Sequence, residues 1–206
     1  MLYAFGANNN ASDGQAPLAL VIVDSEGNLY GTTNVGGSSN EGTIFTINPA
    51  GNESVLFSFC PGQQECGCNP GTGALLMRAD GSLVGTTLGC GEYDEGLAYS
   101  YSSGTYTALA PFCSHTCKSG ARPEGGLVED TSGNLYGVAP QGESGQGTVF
   151  ELTGSKLDAR YTFCAQTDCV DGANPYSKLI MNSRRALFGT TAQGGAFNGG
   201  TIFELP

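Results

Sequence analysis

The chain has 206 residues, 33 of them glycine and none tryptophan, and nineteen Asp+Glu against eight Lys+Arg give a formal net charge of −11. That field repels phosphate backbones and excludes nucleic acid as an expected partner, leaving cations, neutral glycans or another protein, including a further copy of the chain. No run of eighteen apolar residues occurs, so no membrane insertion is expected; no basic segment followed by an apolar one marks an export signal within the chain.

In chain order, Leu2-Tyr3-Ala4-Phe5 is a short apolar run, followed by a loop from Gly6 to Ala16. Residues 18–23 (LALVIV), 29–33 (LYGTT), 42–47 (GTIFTI) and 55–59 (VLFSF) come next. They are short, apolar, β-branched or aromatic, and separated by turn residues, so they read as four strands, a to d. The order then recurs. Strand a returns at 74–77, 126–129 and 178–181, strand b at 83–87, 135–139 and 187–191, and strand c at 96–101, 147–152 and 200–205. Strand d returns at 106–112 and 160–163 only. One glycine marks strand b of each copy: Gly31, Gly85, Gly137 and Gly189, at intervals of 54, 52 and 52. A period near fifty residues is the signature of an array of supersecondary units, none of which buries its apolar face alone.

The fourth copy ends after strand c, and the pattern of its absent strand d stands at the other end of the chain: Leu2–Phe5 matches Leu56–Phe59. Counting from Gly189 to the chain end and on to Gly31 gives 48 residues, so the repeat is circular. The expected fold is therefore all-β, a four-bladed propeller of four-stranded blades over residues 1–206, with blades at about 17–59, 74–112, 126–163, and 176–206 plus 1–5. The N-terminal strand would close the ring and hide an open edge. The axial channel, lined by the a strands, would hold at most a structural ion or water, and no other cofactor is expected.

Eight cysteines in a chain of this size point to an oxidising, extracellular or cell-surface setting. Cys60, Cys113 and Cys164 each follow a Phe at one repeat position and have near neighbours in Cys66, Cys117 and Cys169, which gives three homologous small-loop disulfides. Cys68 and Cys90 then pair. The alternative is a metal held by Cys66, Cys68, Cys90 and the single histidine, His115, but Cys66-Gly67-Cys68 is a poor start for a zinc site and no metal is expected. The triplets at Asn10 and Asn52 permit N-glycans.

The a–b turns, Asp24-Ser25-Glu26-Gly27-Asn28 and Asp130-Thr131-Ser132-Gly133-Asn134, assign their aspartates to turn capping rather than catalysis. Arg185 stands where glycine sits in other copies, which implies a strained or different turn. The d–a loops (6–16, 60–73, 113–125 and 164–175) and the b–c loops (34–41, 88–95, 140–146 and 192–199) share one face, which is where binding residues are expected. Residues peculiar to one copy are the candidates there: His115, Lys118 and Arg122; Glu92, Tyr93, Asp94 and Glu95; Asp168 and Asp171; and Phe197. No G-x-S-x-G or H-E-x-x-H occurs, and catalytic residues are not assigned.

LYGTT, a Gly-Gly loop and GTVFEL together resemble the GloVer-type tandem repeats of exported, surface-anchored bacterial proteins. Copies one, three and four match well; copy two, with Leu83-Val84-Gly85 and Leu97-Ala98-Tyr99, departs further. The resemblance implies an extracellular repeat protein and carries no catalytic residues; the cysteines are not part of the motif. Three functions fit: a secreted propeller that binds a glycan or protein or serves as a scaffold, a subunit of an extracellular filament or other homo-oligomeric assembly, and a carbohydrate-active hydrolase or lyase using loop carboxylates.

Overall fold

A computed structural model of the chain describes all residues except 7–10, 61–64 and 114–115. It is all-β apart from one short 3-10 turn, Thr167–Cys169. Repeat 1 comprises β1 (Ile22–Val23), β2 (Leu29–Thr33), β3 (Thr43–Ile47) and β4 (Glu53–Ser58), paired antiparallel in that order. A small ribbon of β5 (Gly67–Cys68) and β8 (Gly89–Cys90) accompanies repeat 2, whose main sheet is β6 (Leu76–Met77), β7 (Leu83–Thr86), β9 (Leu97–Ser102) and β10 (Thr105–Pro111). Repeat 3 is β11 (Val128–Glu129), β12 (Leu135–Ala139), β13 (Thr148–Thr153) and β14 (Lys156–Thr162). Repeat 4 has β15 (Ile180–Met181), β16 (Leu187–Thr191) and β17 (Thr201–Leu205).

The glycine that marks each copy is explained by the ladder beside it. Gly31, Gly85, Gly137 and Gly189 stand opposite Phe45, Tyr99, Phe150 and Phe203 on the c strand. In each case the ring lies across the glycine, so a Cβ there would fall 2.5–2.6 Å from the tip of the ring. Any side chain would expel the aromatic residue from its seat.

The core lies between consecutive sheets. Ile44 and Phe59 of repeat 1 pack with Leu75, Leu83, Leu97 and Tyr99 of repeat 2. Val84, Ala98 and Phe112 of repeat 2 meet Leu127, Leu135 and Phe150 of repeat 3. Val138, Val149 and Phe163 of repeat 3 meet Leu179 and Leu187 of repeat 4. At each junction the Phe that ends strand d sets its edge against the c-strand ring of the next repeat: Phe59 on Tyr99, Phe112 on Phe150 and Phe163 on Phe203, with centroids 5.3, 4.9 and 5.0 Å apart.

Two expectations need correction. The a strands are short, with two paired residues each, and the run 18–23 contributes only Ile22 and Val23 to a ladder. Leu18 and Leu20 are exposed, with no described residue burying them on that side of repeat 1. The expected closure is also not formed: the fourth sheet has three strands, and residues 2–5 form no strand. They lie instead against repeat 1, with Phe5 on Phe45 at 4.8 Å. The sheets therefore form an open array, and the edge of β17 is unpaired among the described residues.

Candidate functional site

The loops that bear the candidate residues share one face, and short backbone bridges hold them there. Gln15 pairs with Val35, Ala121 with Gln141 and Ala173 with Gln193; in repeat 2 the same bridge lengthens into the β5–β8 ribbon. Disulfides Cys60–Cys66, Cys68–Cys90, Cys113–Cys117 and Cys164–Cys169 close these loops further. The two-strand ribbon and its cross-link make repeat 2 the most constrained part of the face.

A recurring device ties three of these loops to the repeat before them. Ala16, Asn69, Arg122 and Asn174 each precede a proline and adopt left-handed backbone, with φ of 53–55°. The N–H of Asn69 donates to the Glu41 carbonyl at 2.9 Å, that of Arg122 to Glu95 at 2.9 Å, and that of Asn174 to Gln146 at 2.8 Å. No equivalent bond reaches Ala16 among the described residues. The four X-Pro pairs fall at intervals of 53, 53 and 52 residues, a legible signal that the strand-based alignment passes over.

Between repeats 1, 2 and 3 this geometry opens a cleft of about 350 Å³, lined by Asn34, Cys68, Asn69, Leu88, Asp94 and Arg122 among others. The Arg122 guanidinium is half-exposed and bonds through Nε to Glu95 Oε2 at 3.0 Å. Asp94 Oδ1 accepts the Cys90 N–H at 3.2 Å. Asn69 donates to Glu41 Oε2 at 3.4 Å, and Asn34 Oδ1 accepts the Gly71 N–H at 3.3 Å. Amides, a carboxylate and a guanidinium around one apolar residue make a site suited to hydroxyl-rich, uncharged ligands.

The structure thus brings Asp94, Glu95 and Arg122 together at one cleft. Glu92 is exposed beside them, and Tyr93 lies between, its hydroxyl pushed upward in pKa by a bond to Glu92. Lys118 is exposed and does not line the cleft. Phe197 is 97% exposed on the b–c loop of repeat 4, apart from the cleft lining. Asp168 is exposed in the 3-10 turn. Asp171 is engaged in its own loop: it accepts the Tyr161 hydroxyl at 2.7 Å and the Ala165 N–H at 3.0 Å. Burial raises its pKa, but those bonds outweigh burial and hold it below the ordinary carboxylate range. His115 and Asn10 lie outside the described residues, and Asn52 is exposed.

Sequence reasoning missed the counterpart of Asp171. Asp13 is buried and accepts the Tyr3 hydroxyl at 2.8 Å and the Gly6 N–H at 3.1 Å. Burial, then Asp13 and Glu53, push the Tyr3 hydroxyl up to about 12. Glu53 is raised by burial and by the Asp13 charge. The signal was available: Tyr3 and Asp13 have the same ten-residue spacing as Tyr161 and Asp171.

The opposite face carries the a–b turns. Asp24 Oδ1 accepts the N–H groups of Glu26 and Asn28 at 2.9 and 2.8 Å; Asp130 Oδ1 accepts those of Ser132 and Asn134 at 2.7 and 3.0 Å. Burial acts to raise the Asp130 pKa, but these bonds, the Asn134 side chain and Arg185 bring it down to about 2. Arg185 has φ of 69° and reaches across from repeat 4 to Asp130 and to Ser132 Oγ. A larger cleft of about 650 Å³ lies on this side between repeats 2 and 3, containing the Arg78–Glu129 ion pair. Among the described residues no cluster of three His, Cys, Asp or Glu is placed to hold a metal ion, and no helix is long and apolar enough to cross a membrane.

A repeated antiparallel sheet with its core between neighbours, and with loops gathered on one face, defines an all-β array of propeller-like architecture. The chain belongs to the Gloeobacter/Verrucomicrobia repeat family, whose model matches residues 69–206. No match to a functionally described protein sequence was found. Among solved structures, the chain is similar to streptogramin B lyase, with 15% identity, a TM-score of 0.55, and coverage of 94% of this chain and 55% of that one. It is also similar to the calcium-binding protein regucalcin from Agrobacterium tumefaciens, with 15% identity, a TM-score of 0.52, and coverage of 90% and 59%. The extracellular domain of a one-component system from B. thetaiotaomicron gives 11% identity, a TM-score of 0.54, and coverage of 90% and 21%. The chain thus spans little more than half the length of the first two structures.

Proposed function

We propose that the protein is an extracellular recognition and scaffold module, its four repeats acting as four propeller blades that present a loop-face site for a neutral glycan. The observation that carries this reading is the cleft at Asn34, Asn69, Asp94 and Arg122, built on the Cys68–Cys90 ribbon. Its polar groups are fixed in position before any ligand arrives, which lowers the ordering cost of binding. The cysteine content, with four disulfides in the folded chain, supports an oxidising location. Glu95 beside this cleft is held by the Arg122 cation, which supports a binding role for it over a catalytic one.

A glycan array with the oxidised protein tests the proposal. Binding to a neutral oligosaccharide is expected, weakened at least tenfold in Arg122→Gln as measured by calorimetry. Failure to retain any glycan, or equal retention after that substitution, overturns it.

A further inference from the structure

We propose that a second copy of this chain docks head-to-tail on the open side of repeat 4, where its residues 2–5 add the missing fourth strand beside β17. This goes beyond the ligand site above and does not depend on it.

Equivalent positions of the four repeats differ in their cover. Ile44, Ala98 and Val149 on the c strands of repeats 1 to 3 are all 0% exposed, whereas Ile202 on β17 is 84% exposed. The residues that cover the first three are Leu75, Leu127 and Leu179, at most 1% exposed and one residue before the a strand of the following repeat. The equivalent residue of repeat 1, Val21, is 50% exposed. The two ends of the array are therefore the two halves of one junction, made of the residue types that form the other three. A surface on one end that fits a different surface on the other is a heterologous interface, which two copies satisfy by head-to-tail contact.

Residues 2–5 are already seated as the strand that this junction lacks. Phe5 meets Phe45 at 4.8 Å with planes inclined at 63°; Phe163, the end of strand d in repeat 3, meets Phe203 at 5.0 Å and 62°. Tyr3 stands to Phe5 as Tyr161 stands to Phe163, at 5.0 and 5.2 Å. Tyr3 binds Asp13 as Tyr161 binds Asp171. Yet Leu2–Phe5 make no backbone–backbone hydrogen bond among the described residues, so a strand stands in position on repeat 1 without a sheet. Repeat 4 of a neighbouring copy is a sheet without that strand.

The acceptor is present as well. A groove of about 340 Å³ runs beside β17, lined by Tyr161, Phe163, Ile202, Phe203 and Leu205 among others. In repeats 1 to 3 the carbonyl before the c strand accepts the N–H of the strand-d Phe: Gly42 from Phe59, Gly96 from Phe112 and Gly147 from Phe163. The Gly200 carbonyl has no such bond among the described residues, and the equivalent donor is Phe5 of the docked copy. The register of the other sheets, Ile44 opposite Phe57 and Val149 opposite Tyr161, then sets Ile202 opposite Tyr3. The bond absent at Ala16 follows the same rule, with its N–H meeting the Gly199 carbonyl of the neighbour. The chain superposes on 55% of the length of streptogramin B lyase, so a larger fold of this kind accommodates further repeats beside these four.

All eight cysteines are paired, so an introduced cysteine is the one free thiol. Tyr3→Cys and Ile202→Cys variants, made separately, mixed and mildly oxidised, are expected to give a covalent pair, because residues opposite each other on adjacent strands bring their Cβ atoms within disulfide reach. Sedimentation of the unmodified chain is expected to show twice the chain mass for a closed pair, or higher multiples for an open string, and deletion of residues 1–6 to leave a monomer. A monomer at all concentrations with no covalent pair overturns the proposal. So does an internal cross-link in a monomeric double variant, which would mean that the chain closes on itself. Circular dichroism of each variant separates loss of contact from loss of fold.

Discussion

The three internal junctions and the two open ends are built from the same residue types and differ only in whether a neighbour is present. Ile44 and Val149, with Leu75, Leu127 and Leu179, are buried where one repeat meets the next, while Ile202 and Val21 occupy the equivalent sites at the open ends and are exposed. The difference teaches that a repeat of this kind has no core of its own. Its apolar residues become a core only when the next sheet covers them, so stability resides in junctions rather than in sheets.

The sharpest way to break that comparison is to truncate both kinds of site. Leu127→Ala, at a junction, is expected to cost about 2–5 kcal/mol in urea unfolding. Val21→Ala, at an open end, should cost under about 0.5 kcal/mol in the monomer. Equal losses would mean that the open end is covered. The next effect is at the turn face, where Arg185 ties repeat 4 to Asp130 of repeat 3. Asp130→Ala removes several bonds to a charged acceptor and should cost about 2 kcal/mol. Because folding lowers the Asp130 pKa from 3.8 to about 2, its contribution is complete above the ordinary value and fades as pH falls through that interval. An acid titration of Tm in wild type and variant, converging near pH 2, checks this.

The smallest effect concerns Glu53, near Tyr3. Its pKa is raised, so its favourable contribution belongs to the protonated form, is complete below the ordinary carboxylate value, and is lost as pH rises through the raised one. Glu53→Gln is therefore expected to raise Tm slightly at pH 7 and to change it little at pH 4. A fall at pH 7 would show that the charged form is needed to hold residues 2–5.

Much of the fold was legible because the repeat writes each structural element four times. The b and c strands, the shared loop face and the Asp-capped turns follow from residues such as Gly31, Phe45 and Asp24, whose local chemistry suffices. Closure was not legible. The match of Leu2–Phe5 to strand d is real, as the Phe5–Phe45 contact shows, but a pattern states which seat a strand takes and not whose sheet it joins. The strand a run was overread for a related reason: LALVIV has strand composition, yet only two residues find a ladder partner. In the candidate site, Asp94, Glu95 and Arg122 were visible as residues peculiar to one copy. Their convergence depends on the bond from Arg122 N–H to the Glu95 carbonyl, which crosses between repeats and leaves no trace in spacing within one repeat.

The disulfides carry a mechanical consequence. The longest links Cys68 to Cys90, a separation of 22 residues, and the others close loops of 4 to 6. None clamps one sheet to another across a core. A chain pulled from its two ends would therefore yield junction by junction, each rupture releasing one sheet while the staples shorten the slack it can pay out. Reducing agents would lengthen those steps without changing their number, so the protein behaves as an extensible link with stiff loops and separable sheets.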